Sequence, residues 1–482
     1  MSPAEFFRQL VGHGERMALC DGHQRLSYSE LLAEVGARAR QLQQGGVRRL
    51  ALALDNGPDW LLWDLAALQA GVVCVPLPGF FSSAQQRHVL ESAGVDTLLA
   101  ADPQAFADLG FAPRAGLSQR AVSHAPELAP GTAKITYTSG TTGQPKGVCL
   151  SAEAMLRVAQ SIAERIAVCG ISRHLCVLPL AVLLENLAGG YSALLLGAGL
   201  ELPALATVGM QGASGFDLPA FLATLGQVKP SSLILLPQLL LALVTAAEHG
   251  ALLPDSLRFI AVGGGRVAPQ LLERAEALGL PVFEGYGLSE CASVVCLNTP
   301  GQRRIGSVGV PLPHVELRLA ADGEVLVRGA HFLGYLGEPP QASEWLATGD
   351  LGHWEEGFLV LHGRKKHQFV TAFGRNVNPE WVEAELVQQA AIAQAWLHGE
   401  ALAANVALLV PRGEVSDAAL QAAVDAVNAQ LPDYARVHHW LRATHPFSEA
   451  NGLATSNGRL RRVALLEHYR PVIEDLTNDL TV

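Results

Sequence analysis

Up to about residue 360, short apolar runs alternate with longer stretches of helical period. RLALALDN (Arg49 to Asn56), DWLLWDLAALQAG (Asp59 to Gly71) and VVCVPLPG (Val72 to Gly79) follow one another in this way. Strand-like runs separated by helical ones predict βαβ units and largely parallel sheets. Asp55 and Asn56 ahead of Pro58 and Trp60 mark a helix start. The most apolar window, Leu233 to Ala247, is shorter than a membrane span and is interrupted by Pro237. It predicts a buried strand followed by a core helix.

Between Gly306 and Leu361 the period changes to two. GSVGVPLPHVELRLAADGEVLVRG alternates apolar and polar residues around Asp322-Gly323, which predicts an antiparallel hairpin. WEEGFLVLHG predicts another strand pair around Gly357. After GRKKHQFV the helical period returns. NPEWVEAELVQQA is an amphipathic helix with Pro379 early in it, and EVSDAALQAAVDAVNAQL is a second, capped by Ser416 or Asp417. The expected fold class is therefore α/β. A large N-terminal domain, 1–363, carries mostly parallel sheets with packed helices and a small antiparallel β subdomain at about 306–361. A small mobile α+β domain follows over 364–482. Neither an internal repeat nor a low-complexity tract is present.

Composition narrows the function classes. The chain has 482 residues, 49% hydrophobic and 16% charged, enough for a sizeable core. A formal net charge of −11 argues against non-specific nucleic-acid binding, which needs clustered Lys and Arg. Cys20, Cys74, Cys149, Cys169, Cys176, Cys291 and Cys296 are scattered, odd in number and form no C-x-x-C pair. That predicts a reducing compartment, with no disulfide framework and no zinc site. MSPAEFFRQLVGHGERM lacks a basic start followed by an apolar run, so no signal peptide is expected.

The chemistry concentrates in a few stretches. TYTSGTTGQPKGVCL, Thr136 to Leu150, packs hydroxyls, glycines and one lysine together, the composition of a phosphate cradle. It does not fit the nucleotide loop G-x-x-x-x-G-K-[ST]: Pro145 and Gly147 stand where the last glycine and the magnesium-binding hydroxyl belong. Further stretches of note are EGYGLSE (Glu284 to Glu290), TGDLG (Thr348 to Gly352), GRKK (Gly363 to Lys366) and NGRLRR (Asn457 to Arg462).

Together, in this order and spacing, these stretches resemble the acyl-adenylate-forming superfamily of acyl-CoA synthetases, adenylation domains and luciferases. LSYSEL (Leu26 to Leu31) and AGVVCVP (Ala70 to Pro76) are weaker echoes, and the likeness covers nearly the whole chain. The resemblance implies that Thr138, Ser139, Thr141 and Thr142 bond the outer phosphates of ATP. Gly140 and Gly143 let the backbone approach, and Lys146 offsets charge on the leaving pyrophosphate. It implies that Tyr286 faces adenine within Glu284, Gly285 and Gly287, flanked by the glycine turn containing Gly264 and Gly265. Ser289, where the family more often has Thr, bonds the α-phosphate. Glu290 is the ligand of Mg²⁺, a hard ion suited to carboxylate oxygen. Asp350 and Arg364 hold the ribose, and Lys366 is the hinge on which the small domain swings. FGRNVNPEWVE, with Gly374, lines the thiol tunnel after that swing.

The main departure lies in the fifth stretch. The family's catalytic lysine, which bridges the substrate carboxylate and the α-phosphate, corresponds here to Arg459. A guanidinium keeps the charge but is longer and more rigid. Either it does the same work or the first half-reaction is slowed.

The acyl pocket implied by the resemblance falls on LPLAVLLENLAGGY, Leu178 to Tyr191. Val182 stands in an aliphatic setting where acyl-CoA synthetases often carry a histidine or aromatic gate. No aspartate is present from Leu175 to Leu196 to pair with a substrate ammonium, and burying an unpartnered ammonium is costly. Glu185 and Arg173 are the nearest charges, Glu185 reading as a capping or paired carboxylate.

The expectation is an acid–thiol ligase that uses ATP and Mg²⁺ to activate an apolar acid. A fatty acid comes first, as in the long-chain branch, and an aryl acid second. CoA, or the phosphopantetheine of an acyl carrier protein, accepts the acyl group. A thiol-free lactone or amide ligase and a non-catalytic nucleotide or acyl binder are the remaining alternatives. The expected partners are small molecules, with no transmembrane segment and a cytoplasmic location.

Overall fold

The computed structural model describes residues 1–114, 116–138, 145–212, 215–455 and 458–478. Helix Pro58–Ala70 shows how the predicted alternation folds. Its residues are apolar nearly all round, so it is buried on nearly all sides. It starts after Gly57 without a side-chain cap. Asn56 is used elsewhere: it donates to Leu178 O at 2.9 Å and accepts from Leu180 N at 2.8 Å. In LSYSEL, Ser27 and Glu30 form a capping box that starts helix Tyr28–Gln44.

Two large sheets carry the N-terminal domain, and each is mixed. The nine-stranded sheet is parallel through its centre, where Arg173–Leu175, Ser232–Leu235, Phe259–Val262 and Val282–Leu288 run side by side. The eight-stranded sheet has parallel Thr97–Ala100, Arg49–Ala53, Val73–Pro76 and Thr132–Thr138 at its heart. The edges of both sheets are antiparallel, because short hairpin returns such as Ser293–Leu297 after Val282–Leu288 leave no room for a crossover helix. The window at Leu233 becomes strand Ser232–Leu235 and helix Pro237–Glu248. No described helix is long and apolar enough to cross a membrane.

The period-two segment builds a four-stranded antiparallel sheet of Val315–Leu319, Glu324–Gly329, Leu346–Glu355 and Phe358–Arg364. Gly323, at φ 84°, makes the first hairpin turn. The C-terminal elements pack helices Pro379–Val387 and Asp417–Asn428 on one face of a three-stranded sheet, with helix Arg462–Asn478 on another core. Asn378 and Ser416 cap the first two helices. All seven cysteines are free thiols.

His314, ahead of strand Val315–Leu319, is 7% exposed, and burial pushes its imidazole down to about 4. The unfolded chain, titrating near 6.5, then binds the proton that the folded chain refuses. Stability is therefore full above about pH 6.5 and is lost as pH falls toward 4, by about 2 kcal/mol at pH 5. Comparing wild type with His314→Gln by denaturant titration at neutral pH and at pH 5 should show a smaller acid loss in the variant. Equal losses would place the acid sensitivity elsewhere.

Candidate active site

The predicted site residues come from the C-terminal ends of strands and the turns after them. Val262 pairs with Glu284 in parallel register, so the turn at Gly263, Gly264 and Gly265 lies against the start of EGYGLSE. The approach is close: a Cβ at Gly263 would stand 3.1 Å from Gly285 O. At Gly287 a Cβ would meet Ser293 O at 1.7 Å, so only glycine fits. Ser289 and Glu290 follow in a 3-10 turn, after which Ala292 and Ser293 take positive φ values of 53° and 102°. Two consecutive non-glycine residues in that region store strain beside Glu290, as functional turns often do.

Glu290 is half-buried and oriented by Tyr335, whose OH donates to Oε1 at 2.8 Å. Tyr335 arrives on strand Gly334–Tyr335, which pairs with Lys146–Ser151. The same contact places the Tyr335 ring 5.3 Å from Lys146 Nζ, and Lys146 forms an ion pair with Glu338 at 3.2 Å. Thr138 pairs with Lys146 in antiparallel register, so the two residues that flank the hydroxyl-rich stretch in sequence stand side by side. Ser139, Gly140, Thr141, Thr142 and Gly143 lie outside the described residues.

Asp350 is 6% exposed and held from two sides. Tyr286 OH donates to Oδ2 at 2.6 Å and Arg364 Nε reaches Oδ1 at 2.9 Å. Arg364 reaches it because the two residues pair across strands Leu346–Glu355 and Phe358–Arg364. Burial raises the Asp350 pKa, and the Arg364 charge opposes that shift. Each carboxylate oxygen keeps a lone-pair direction for a ligand hydroxyl. Glu284 is nearly fully buried, and burial lifts its pKa to about 8 against the charge of Arg266.

The turn Lys365–His367 sends neighbouring cations in opposite directions. Lys365 pairs with Asp322 and Glu324 of the β subdomain. Lys366 lines the cleft, where burial and then the Arg364 charge lower its pKa. His367 bonds Glu380 at 2.6 Å. Arg459 also lines the cleft, and its surface opens onto it. Protein surrounds the rest of the side chain closely enough that burial, and then Arg364, lower its pKa. Glu380, Glu290 and Asp350 are the carboxylates whose charges act on it, and among the described residues it forms no ion pair. Arg462, in the same basic run, is instead paired with the buried Glu383.

Every described residue predicted for ATP, Mg²⁺, the reacting groups or the hinge lines this single cleft of about 2750 Å³, whereas Gly374, predicted for the thiol tunnel, does not. Sequence reasoning missed Tyr335, Glu338 and Glu380, which carry no local signal. It also missed Lys134 and Asp64, a buried pair at 2.8 Å. A signal for that pair existed: each is a lone charge in an apolar run, TAKITYT and WLLWDLAAL, and a buried charge demands a partner.

A family model described as AMP-binding enzyme matches residues 6–336. The chain belongs to the AMP-binding enzyme family. A second model, AMP-binding enzyme C-terminal domain, matches residues 366–481. Among relatives of this AMP-binding enzyme, human long-chain-fatty-acid–CoA ligase 6 is 34% identical over 271 residues, which is 47% of this chain and 39% of that protein. The chain therefore spans well under half of that relative. The 2-succinylbenzoate–CoA ligase of Bacillus pumilus (strain SAFR-032) is 26% identical over 415 residues, 80% of this chain and 82% of that one. The solved O-succinylbenzoate coenzyme A synthetase of Bacillus subtilis, in complex with ATP and magnesium ion, superimposes with a TM-score of 0.77 at 25% identity. That match covers 95% of this chain and 98% of that one.

Proposed function

We propose that this AMP-binding enzyme is an acid–thiol ligase: it activates an apolar carboxylic acid, a fatty acid first, as an acyl-adenylate and passes the acyl group to CoA. The observation that carries the reading is a cleft lined by two chemically distinct groups of residues. One is the charged group Lys146, Glu290, Asp350, Arg364 and Arg459. The other is the apolar group Leu178, Val182, Leu184, Ala188, Leu236 and Leu241. Charges near the apolar group are already engaged. Arg173 turns to Glu201 and to Val228 O, and Glu185 is bonded by His174 and Leu178 N. A substrate ammonium or second carboxylate would be buried there without a partner.

In this reading the acid carboxylate attacks the α-phosphate of ATP and pyrophosphate leaves past Thr138 and Lys146. Fixed charges do most of the work in such a displacement. Glu290 suits Mg²⁺: Tyr335 engages one carboxylate oxygen and aims the group into the cleft, leaving hard oxygen for the ion. When bound, Mg²⁺ would screen phosphate charge. Arg459 faces the same space and supplies the cation between carboxylate and phosphate. A thiol then attacks the mixed anhydride and AMP leaves. We place the domain boundary at 363/364 and the hinge at Lys366, and we assign Asp350 and Arg364 to the ribose. Seven free thiols fit a reducing, cytoplasmic setting.

An aryl acid is the second reading, favoured by the succinylbenzoate ligases that align over most of the chain. Pyrophosphate release from ATP and Mg²⁺ across fatty, aryl and amino acids, with and without CoA, separates the readings. Release with fatty acids, and acyl-CoA only when CoA is present, is expected. Release with aryl acids alone would move the assignment to the second reading. Release without acyl-CoA would point to a carrier-protein thiol or a thiol-free ligase. No release with any acid would leave a non-catalytic binder.

A further inference from the structure

Part of the apolar lining belongs to a π-helix, Leu184–Tyr191. Such helices are rare and frequently found at functional sites. Two adjacent polar residues pin this one from opposite sides. Glu185, fully buried, accepts from Leu178 N at 2.9 Å and pairs with His174 Nε2 at 2.8 Å, whose Nδ1 meets Ser232 Oγ at 3.0 Å. Asn186, also buried, accepts from Lys134 Nζ and donates to Asp64 Oδ2 at 3.0 Å. Lys134 sits on strand Thr132–Thr138, which ends where the hydroxyl-rich stretch of the sequence begins. Gly189 leaves the room these bonds need: a Cβ there would stand 2.2 Å from Glu185 Oε1 and 2.6 Å from His174 Nε2. His174, Cys176 and Glu185 place potential ligand atoms within 4.8 Å of one another, but the hydrogen bonds to Glu185 already account for that cluster.

The register has a steric consequence. Leu184, Ala188 and Gly189 face the cleft, while Leu187 is fully buried behind them. At the two smallest of these positions the wall has almost no bulk. Relaxing the π-turn to an α-turn would shift the following residues by one position, a rotation of about 100°. That would carry Ala188 and Gly189 away from the cleft and bring Leu187 toward it.

We infer that Glu185 and Asn186 are positioning residues that hold the π-helix in register and thereby set how long an acyl tail the cleft accepts. This rests on the acid-activating reading, and its test keeps the two separable. The Glu185→Leu and Asn186→Leu variants are compared with wild type and with Glu185→Gln. Two readouts need no turnover: displacement of a fluorescent fatty acid by saturated acids from short to long, and calorimetric binding of AMP. Binding of long acids should weaken about tenfold or more in the leucine variants. Short acids and AMP should stay within about threefold of wild type. Glu185→Gln keeps an acceptor for Leu178 N and a donor for His174, so it should behave as wild type throughout.

Weakening of all ligands alike would reduce both residues to a general structural role and overturn the inference. So would folded leucine variants with an unchanged length profile. If neither leucine variant folds, Gly189→Ala replaces them, because its methyl group would collide with Glu185 Oε1 and His174 Nε2 while removing no polar group. The same selective loss is then expected, and a uniform loss overturns the inference. A wild type that binds AMP but no fatty acid of any length overturns the fatty-acid reading itself, and the inference with it.

Discussion

Arg459→Ala is expected to slow acid-dependent pyrophosphate release by about two orders of magnitude, the scale of losing one charge-stabilising donor in a displacement of this kind. Leu460 bridges Ala454, and the neighbouring Arg459 N donates to Thr455 Oγ1 at 3.0 Å. These contacts hold Arg459 where its side chain lines the cleft also faced by Glu290, Asp350 and Arg364. A guanidinium stays charged even where burial lowers its pKa, so the charge is present throughout the accessible pH range. Three neighbouring carboxylates act on it without forming an ion pair among the described residues, which leaves its donors free for an incoming anion. Arg459→Lys should keep much of the activity, since the charge remains and only reach and fork geometry change. The two variants are compared at saturating acid and ATP. Wild-type rates in Arg459→Ala would remove this residue from the adenylation step.

The second large effect is on stability. Lys134→Ala is expected to cost about 3–5 kcal/mol, because it leaves the Asp64 carboxylate buried without its cation. The side chains of Lys134 and Asp64 are 2% and 0% exposed, with Nζ 2.8 Å from Oδ1 and 3.1 Å from Oδ2. Asn186 Nδ2 and Tyr191 OH also donate to Asp64, at 3.0 and 2.9 Å. A second substitution separates charge from packing. In Lys134→Met with Asp64→Asn, the buried charges disappear together while residue 64 keeps an acceptor for its remaining donors. Most of the lost stability should return, since replacing a buried ion pair by uncharged groups of similar size is often neutral. Denaturant midpoints of wild type, single and double variants provide the comparison. A double variant as unstable as Lys134→Ala would assign the loss to packing alone.

Both effects turn on residues that the chain displays differently. Arg459 stands in a contiguous basic stretch whose likeness to a family motif is visible without coordinates. Phosphate and carboxylate chemistry favours such stretches, because backbone and side-chain donors must converge on one small anion. The turn at Gly264 and Gly265 was legible only as a glycine turn, and the close contacts that require glycine at Gly287 and Gly263 emerge only in the structure. Lys134 and Asp64 lie 70 positions apart, and their partnership exists only because strand Thr132–Thr138 and helix Pro58–Ala70 pack together.

For the fold, the sequence by itself determined the periods: apolar runs for buried strands, helical stripes between them, and alternation from 306 to 361. Those are local consequences of side-chain direction, so they survive without knowledge of neighbours. It also determined that AMP-binding chemistry was in question, through motifs whose spacing spans the chain. Only the tertiary structure decided that both large sheets end in antiparallel edges, since strand order is set by which hairpins close against which edge. Only it brought Tyr335 to Glu290, His174 to Glu185 and Glu380 to His367. It alone also chose Arg459 to face the cleft while pairing Arg462 with Glu383. The physical reason is common to these cases. A hydrogen bond or ion pair is fixed by distance in space, and the chain records such distances only through the packing of elements far apart in sequence.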